Sequence, residues 1–236
     1  MDRTRFALLD ASHGSLHTPR NFRRELDASL AEFDVTQGEL PETFDYDGVV
    51  ITGSRASVYW DEPWIRSLVD WTADAAARGL PTLGVCYGHQ VLAEALGGRV
   101  AALGEYEIGY RTVEQTRTDA DLFGGVPEAF TAFTTHSDHV VDLPPGATLL
   151  AENEYGVHAF RKGHAFGVQF HPEYDPETAA TVTRGKDDQL SDERIQRVLD
   201  GITDEQYAAA CETKRLFGNF VDYARRVRDG PAAAAD

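Results

Sequence analysis

The sequence predicts an α/β fold with a mostly parallel central sheet. One observation is a buried strand at residues 80–85 that passes through Cys86 directly into an amphipathic helix ending near Gly98. A second is an apolar strand at residues 49–51, which a helix at 64–78 follows. Strands that alternate with helices in this way are typical of a parallel sheet. A third is a series of short strand-like runs after Gly98, which predicts antiparallel strands that continue the sheet.

Four elements are expected before residue 40: a strand at 6–9, a polar loop at 11–20, a helix at 21–33 and a short strand at 33–36. The helix is predicted from apolar residues that recur every three or four positions, namely Phe22, Leu26, Leu30 and Phe33. The polar loop carries His13 and His17, which we expect to be exposed.

The second half of the chain divides into strands and then helices. Strand-like runs occur at 100–102, 110–113, 130–134, 147–151, 157–160 and 165–170. From 187 to 227 the chain is charged and helical, with Cys211 on the packing face of a final helix. We therefore expect a main domain at 1–180, an acidic helical extension at 181–230 that packs on it, and a disordered tail at 231–236.

The charge balance excludes some classes of partner. The chain of 236 residues has 22 basic and 39 acidic residues, a net charge of −17. No basic stripe is available to neutralise phosphates, so nucleic-acid binding is not expected. Such an acidic excess resembles the surfaces of proteins from salt-loving cells.

Other features of composition predict a soluble, cytoplasmic protein. No apolar run is long enough to span a membrane, and the first residues lack the apolar stretch of a signal peptide. The two cysteines, Cys86 and Cys211, are too few for a disulfide framework.

Cys86 has the sequence setting of a nucleophile. It stands between Gly84 and Gly88 at a turn from strand to helix, the cysteine form of a nucleophile elbow. The N-terminus of the following helix favours the thiolate. A free cysteine is otherwise usually a small buried hydrophobe, so the interpretation depends on a base elsewhere in the chain.

Gly53 follows the strand at 49–51, and neighbouring parallel strands end at the same edge of a sheet. The backbone N–H groups of Gly53 and Tyr87 could therefore stabilise an oxyanion beside the Cys86 sulfur. The alternative is that Gly53 is only a turn glycine.

His171 is the best candidate for the base. It ends the strand-like run at 165–170, and Glu173 follows two residues later. Residues i and i+2 of a strand share one face, so the carboxylate can orient the imidazole toward the sulfur.

Several motifs, in a shared order, resemble the class I glutamine amidotransferases, which hydrolyse the side-chain amide of glutamine with a catalytic triad. They are ITGSRASVYWDEPW, GLPTLGVCYGHQVLAEALGG, EIGYRTVE, HSDHVVDLPPGATLLAENE, HAF and GVQFHPEYD, between about residues 49 and 173. The arrangement is most similar to stand-alone proteins like the amidotransferase part of GMP synthase. The resemblance implies a flavodoxin-like three-layer sandwich around the sheet, with the C-terminal helical extension added.

The resemblance also implies roles for individual residues. Cys86 would be the nucleophile, His171 the base and then the acid, and Glu173 the orienting carboxylate. The oxyanion donors would be Gly53 and Tyr87. Substrate binding would fall to Gln90, His136 and Asp138. His89 is expected to pack in the core, and no cofactor or metal is expected.

Two segments depart from the family pattern. Residues 135–138 read Thr-His-Ser-Asp where relatives often have Ser-His-Gly-Asp, and His158 stands where they often have glutamine. The first segment belongs to the glutamine pocket in relatives. Another γ-glutamyl peptide or conjugate is therefore an alternative substrate.

Alternative functions remain open at this point. The sequence has no P-loop and no Ser-Gly-Gly-x-Asp-Ser nucleotide loop, so ammonia would pass to a synthetase of the ATP pyrophosphatase type in trans. A free-standing γ-glutamyl hydrolase needs no such partner. A metal hydrolase using His136, His139, His158 and His171 is a less favoured hypothesis. An inactive binding module is disfavoured by the intact cysteine, histidine and glutamate.

Overall fold

The computed structural model describes residues 3–119 and 121–230, in which nine strands form one sheet accompanied by seven α-helices. The strands are β1 (Arg5–Asp10), β2 (Ser29–Asp34), β3 (Gly48–Ile51), β4 (Thr82–Val85), β5 (Arg99–Gln115), β6 (Ala129–Asp142), β7 (Thr148–Asn153), β8 (Gly156–Lys162) and β9 (Ala165–Val168). The helices are α1 (His17–Glu25), α2 (Pro63–Ala77), α3 (Tyr87–Ala95), α4 (Pro176–Arg184), α5 (Asp192–Asp200), α6 (Asp204–Ala210) and α7 (Arg215–Asp229). The predicted tail at 231–236 lies outside the described residues.

The sheet has a parallel half and an antiparallel half. Its strand order is β2-β1-β3-β4-β9-β8-β7-β5-β6. The strands from β2 to β9 in this order run parallel, and the remaining neighbours pair antiparallel. The carboxyl ends of β3, β4 and β9 therefore lie side by side, which is where open α/β sheets place their functional loops.

Two apolar layers cover the parallel strands, as a three-layer sandwich requires. Alternate residues of β1 face opposite sides: Phe6 packs with Phe22 of α1 and Phe220 of α7, whereas Leu9 belongs to the other layer, with α2 and α3. The rings of Phe6 and Phe220 lie 5.5 Å apart. The final helix is thus part of the core layer on one face.

The helix predicted at 21–33 is wrong in its second half. The observed helix α1 ends at Glu25, Leu26 is extended, and residues from Ser29 onward form β2, which pairs in parallel with β1. The three- to four-residue spacing of Leu30 and Phe33 therefore does not reflect a helix. Strand pairing overrides the local pattern here.

The middle of the chain forms longer strands than predicted. The runs predicted at 100–102 and 110–113 belong to one strand, β5, which pairs with β6. Residues 135–139, which follow the strand-like run predicted at 130–134, lie inside β6 as well. This pairing places Glu107 opposite His136.

The C-terminal segment consists of several short helices before α7, and Cys211 is half-buried rather than part of the core. Leu190, with Ile195 and Val198 of α5, packs against β5 and β6. Within the described ranges no helix combines the length and apolar character that a membrane crossing requires.

Candidate active site

Cys86 occupies a strained turn between β4 and α3. Its backbone has φ 53° and ψ −101°, outside the regions favoured by residues with a side chain, and it is 4% exposed. Such strain persists only where the surrounding structure imposes it, and it is concentrated at functional sites.

The two flanking glycines permit close packing rather than an unusual φ. A Cβ on Gly84 would lie 2.2 Å from the carbonyl oxygen of Gly88, and a Cβ on Gly88 would lie 2.3 Å from that of Ile51. Neither glycine has a positive φ. Any side chain at these positions would push α3 away from β3 and β4, so the glycines hold Cys86 against the sheet edge.

His171 and Glu173 lie together in the turn after β9. The Nδ1 atom of His171 lies 2.8 Å from Oε1 of Glu173, and both residues are buried. The sequence suggested that strand pleating would bring them together, but β9 ends at Val168 and the turn does so instead. The backbone N–H of His171 donates to the carbonyl of Phe133 at 2.8 Å, which anchors this turn to β6.

Cys86, the ring of His171 and Gly53 lie close together at the sheet edge. A Cβ on Gly53 would lie 3.0 Å from Cε1 of His171 and 3.7 Å from Cβ of Cys86. The Nε2 atom of His171 is buried and has no hydrogen-bond partner in the part of the chain described. Burial opposes a charge on His171, but the neighbouring Glu173 and Cys86 side chains outweigh it and raise the pKa of the imidazole to about 10.

The two predicted oxyanion donors both adjoin Cys86. Tyr87 is the first residue of α3, where a backbone N–H has no acceptor within the helix. Gly53 follows β3, and the neighbouring carbonyl of Thr52 accepts from the N–H of Gly88 at 3.2 Å. Two backbone segments from adjacent strand ends thus lie beside Cys86.

The predicted substrate-binding residues form one buried network. Both carboxylate oxygens of Asp138 accept hydrogen bonds, from the hydroxyls of Ser57 and Tyr59. Nε2 of Gln90 donates to the carbonyl of Asp138 at 3.0 Å, and Nδ1 of His136 lies 2.9 Å from the same oxygen. Gln90 and His136 therefore hold the backbone of β6 at Asp138.

His89 packs in the core. It is fully buried, with its ring 4.9 Å from that of Phe160. Burial lowers the pKa of His89 to about 3, so the ring is neutral.

Glu107 was not identified from the sequence, although it lies in the EIGY motif opposite the HSD segment. Its Oε2 lies 2.6 Å from Nε2 of His136 and 3.1 Å from Nε2 of His158, and Asn153 donates to Oε1 at 2.7 Å. Burial raises the pKa of Glu107, but the two imidazoles outweigh it and the net shift is downward. The carboxylate is therefore ionised although it is buried.

The four histidines of the metal hypothesis are not brought together. His171 faces Glu173, and His139 faces the carbonyl of Tyr155 at 3.3 Å. The set that could hold a metal in the described residues is Glu107, His136 and His158, which are all buried. Their contact distances of 2.6 and 3.1 Å are those of directly paired groups.

Two cavities meet at Cys86. The larger, of about 260 Å³, lies on the His171 side and is bordered by the loop at 12–15, so His13 faces the site instead of being a plain exposed residue. The smaller, of about 40 Å³, lies on the side of Gln90 and Asp138. Arg55 and Lys186 line both. Sequence reasoning missed these two residues, since neither stands in a recognisable catalytic motif.

Comparisons with known proteins agree on a family. The family model "Glutamine amidotransferase class-I" matches residues 11–184. A GMP synthase [glutamine-hydrolyzing] of Thermomicrobium roseum is 41% identical over 127 residues, which cover 53% of this chain and 23% of that protein. Gamma-glutamyl peptidase 5 of Arabidopsis thaliana is 36% identical over 156 residues, which cover 61% of this chain and 62% of that protein. The chain thus spans less than two thirds of the length of either relative.

Solved structures share the fold. A glutamine amidotransferase of Thermotoga maritima is 25% identical with a TM-score of 0.79, and the match covers 94% of this chain and 100% of that one. A glutamine amido transferase of Methylobacillus flagellatus is 18% identical with a TM-score of 0.80 over 100% of both chains. Since the family model covers well over half of the residues, the chain belongs to the glutamine amidotransferase class-I family.

Proposed function

We propose that this protein hydrolyses the side-chain amide of glutamine through a γ-glutamyl thioester and supplies the ammonia to a synthetase in trans. The observation that carries the proposal is the strained Cys86 turn beside the ring of His171, whose other nitrogen pairs with Glu173. A nucleophile, a base and an orienting carboxylate in this order are the arrangement that covalent amide hydrolysis requires.

In the first half of the reaction the Cys86 thiolate attacks the amide carbon. The negative charge that develops on the carbonyl oxygen is stabilised by the N–H groups of Gly53 and Tyr87. His171, protonated because of its raised pKa, donates a proton to the nitrogen as the carbon–nitrogen bond breaks. Ammonia leaves and the γ-glutamyl group remains bound to sulfur.

In the second half, water attacks the thioester carbon while His171 accepts its proton. The carbon–sulfur bond breaks, glutamate leaves and the Cys86 thiolate is restored. Glu173 orients the ring throughout, so that Nε2 faces the sulfur and the incoming water.

The smaller cavity is the proposed site of the amino-acid head of the substrate. Asp138 provides a negative charge for an α-amino group, while Gln90 and His136 keep that part of β6 in place. A buried network of hydrogen bonds of this kind favours one geometry.

The proposed recipient of the ammonia is a synthetase that acts in trans. Support comes from the relative in Thermomicrobium roseum, which is named as a glutamine-hydrolysing GMP synthase. The partner would be of the ATP pyrophosphatase type.

A second candidate function is hydrolysis of γ-glutamyl peptides or conjugates without a partner. The larger cavity favours it, because this space adjoins His171, the residue that would protonate the leaving group, and ammonia needs no such room. The Arabidopsis thaliana relatives are named as gamma-glutamyl peptidases.

The test is release of glutamate from L-glutamine and from γ-glutamyl dipeptides by the isolated protein. We expect turnover to disappear in Cys86→Ala and to persist in Cys211→Ala, since Cys211 lines neither cavity. Faster turnover of dipeptides would favour the second candidate. Activity that survives in Cys86→Ala, or that a chelator abolishes, would contradict the cysteine mechanism.

A further inference from the structure

Lys186 lies next to the site but outside the segment that the family model matches, which ends at residue 184. It follows α4 and lines both cavities that meet at Cys86. Its ammonium nitrogen lies 5.2 Å from the centre of the Tyr106 ring, and Tyr106 lines only the smaller cavity. The charge of Lys186 is therefore directed to the same cavity as the carboxylate of Asp138.

In the part of the chain that the structure describes, Nζ of Lys186 has no hydrogen-bond or ion-pair partner, whereas each of the other two lysines has one. The chain has three lysines. Nζ of Lys162 donates to the carbonyl of Leu96 at 3.0 Å, and Lys214 forms an ion pair with Glu25. Within residues 3–119 and 121–230, Lys186 has no carboxylate at ion-pair distance, although the whole chain carries a net charge of −17. A half-buried cation in so acidic a protein suits an anionic ligand.

We infer that Lys186 binds the α-carboxylate of the γ-glutamyl group. The inference rests on the proposed function, and it adds a specificity residue to the same site. The head of a γ-glutamyl compound carries an ammonium and a carboxylate on one carbon. The smaller cavity offers a matching pair of charges, Asp138 from β6 and Lys186 from the segment after α4. Glutamine, γ-glutamyl peptides and γ-glutamyl conjugates all share this head.

The experiment measures binding of two ligands that differ only in this charge, L-glutamine and its α-carboxamide. Calorimetry in the Cys86→Ala background excludes turnover. Lys186→Gln should weaken glutamine binding by about 10- to 100-fold, the range for a hydrogen bond to a charged group. The same change should leave binding of the α-carboxamide nearly unaltered. Lys186→Arg should retain most of the affinity, and Lys162→Gln is the matched control.

Other results would overturn the inference. If Lys186→Gln lowers the affinity for both ligands equally, Lys186 acts on the conformation of the chain after α4 and not on the α-carboxylate. If the affinity for glutamine does not change, Lys186 does not contact the ligand. A loss seen with γ-glutamylglycine but not with glutamine would assign Lys186 to the leaving group. If the Cys86→Ala protein with Lys186 intact does not bind glutamine, the inference is also refuted.

Measuring hydrolysis by the protein that retains Cys86 distinguishes a failure of this inference from a failure of the proposed function. If glutamine and γ-glutamyl dipeptides are not hydrolysed but charge-dependent binding persists, the proposed function alone fails. If hydrolysis depends on Cys86 but kcat/KM is the same in Lys186→Gln, the inference alone fails.

Discussion

Nδ1 of His171 lies 2.8 Å from Oε1 of Glu173, and this contact joins two buried side chains in a single turn. The pair is held by groups from distant parts of the chain. The backbone of His171 bonds to Phe133 of β6, and the carbonyl of Glu173 accepts from Arg24 of α1. The ring of His171 also stacks on Tyr174 at 4.1 Å. The position of the imidazole is therefore fixed by contacts from several parts of the chain.

The effect of this pair on stability should depend on pH. The folded-state pKa of His171, about 10, exceeds the ordinary value of 6.5. Protonated His171 therefore stabilises the fold fully below pH 6.5, and this contribution is lost as the pH rises through about 10. Glu173→Gln removes a main cause of the shift, so the loss in the free energy of unfolding should be largest at pH 6 and shrink toward pH 10. Urea unfolding at several pH values measures it.

A suitable control is Glu177→Gln, because Glu177 pairs with Arg20 at the surface. Exposed ion pairs contribute about 0–1 kcal/mol, and this one should show no trend between pH 6 and 10. A loss in Glu173→Gln that is the same at every pH would contradict the assigned charge of His171.

The elbow glycines give a prediction about packing. Gly88→Ala should lower the free energy of unfolding by about 1–3 kcal/mol or more, because its Cβ would lie 2.3 Å from the carbonyl oxygen of Ile51. The displaced turn should also reduce turnover. Gly218→Ala is the matched control: this glycine lies in α7 with open space around it, so alanine should stabilise by about 0.5–1 kcal/mol. Equal effects of the two changes would refute the packing argument.

The buried cluster around Glu107 should be important for stability. Glu107→Ala leaves His136 and His158 without their shared partner, which should cost about 3–5 kcal/mol at neutral pH. The lowered pKa of Glu107 means that its contribution is present above pH 4.5 and is lost as the pH falls below that value. Urea unfolding at pH 7 and pH 4 should therefore show a smaller difference at the lower pH.

Further variants serve as controls for the effect of Glu107→Ala on stability. Glu128→Ala changes an exposed carboxylate and should have an effect within about 0.5 kcal/mol. His158→Gln keeps an N–H donor for Glu107 and should cost less than His158→Ala. If His158→Ala is as stable as His158→Gln, the hydrogen bond between residue 158 and Glu107 does not contribute to stability.

The acidic excess predicts that salt stabilises the protein. At a net charge of −17, raising NaCl from 0.1 M to 1 M shortens the screening length from about 10 Å to about 3 Å and weakens self-repulsion. The urea midpoint should rise. A variant in which the exposed Glu42, Glu128 and Glu154 are changed to glutamine should respond less. A midpoint that falls in salt would show that screening of ion pairs dominates.

The sequence by itself determined the elements whose signals are local. The strand, turn and helix around Cys86 follow from an apolar run, two glycines and helical spacing. His171 and Glu173 could be identified as a pair because they are two residues apart in the sequence. Gly53 could be identified because it directly follows a buried strand. Parallel strands end at a common edge, so these separate segments could be expected to meet there.

Only the tertiary structure decided features that depend on pairing between distant segments. Residues 29–34 have helical spacing but form β2 because an unpaired edge of β1 accepts them. Glu107 meets His136 and His158 only through the register of β5 with β6 and the arrangement of β8. Lys186 lines the same cavities as Cys86 only because the chain returns to the site after α4. Strand pairing and the path of the chain are long-range, and no local pattern encodes them.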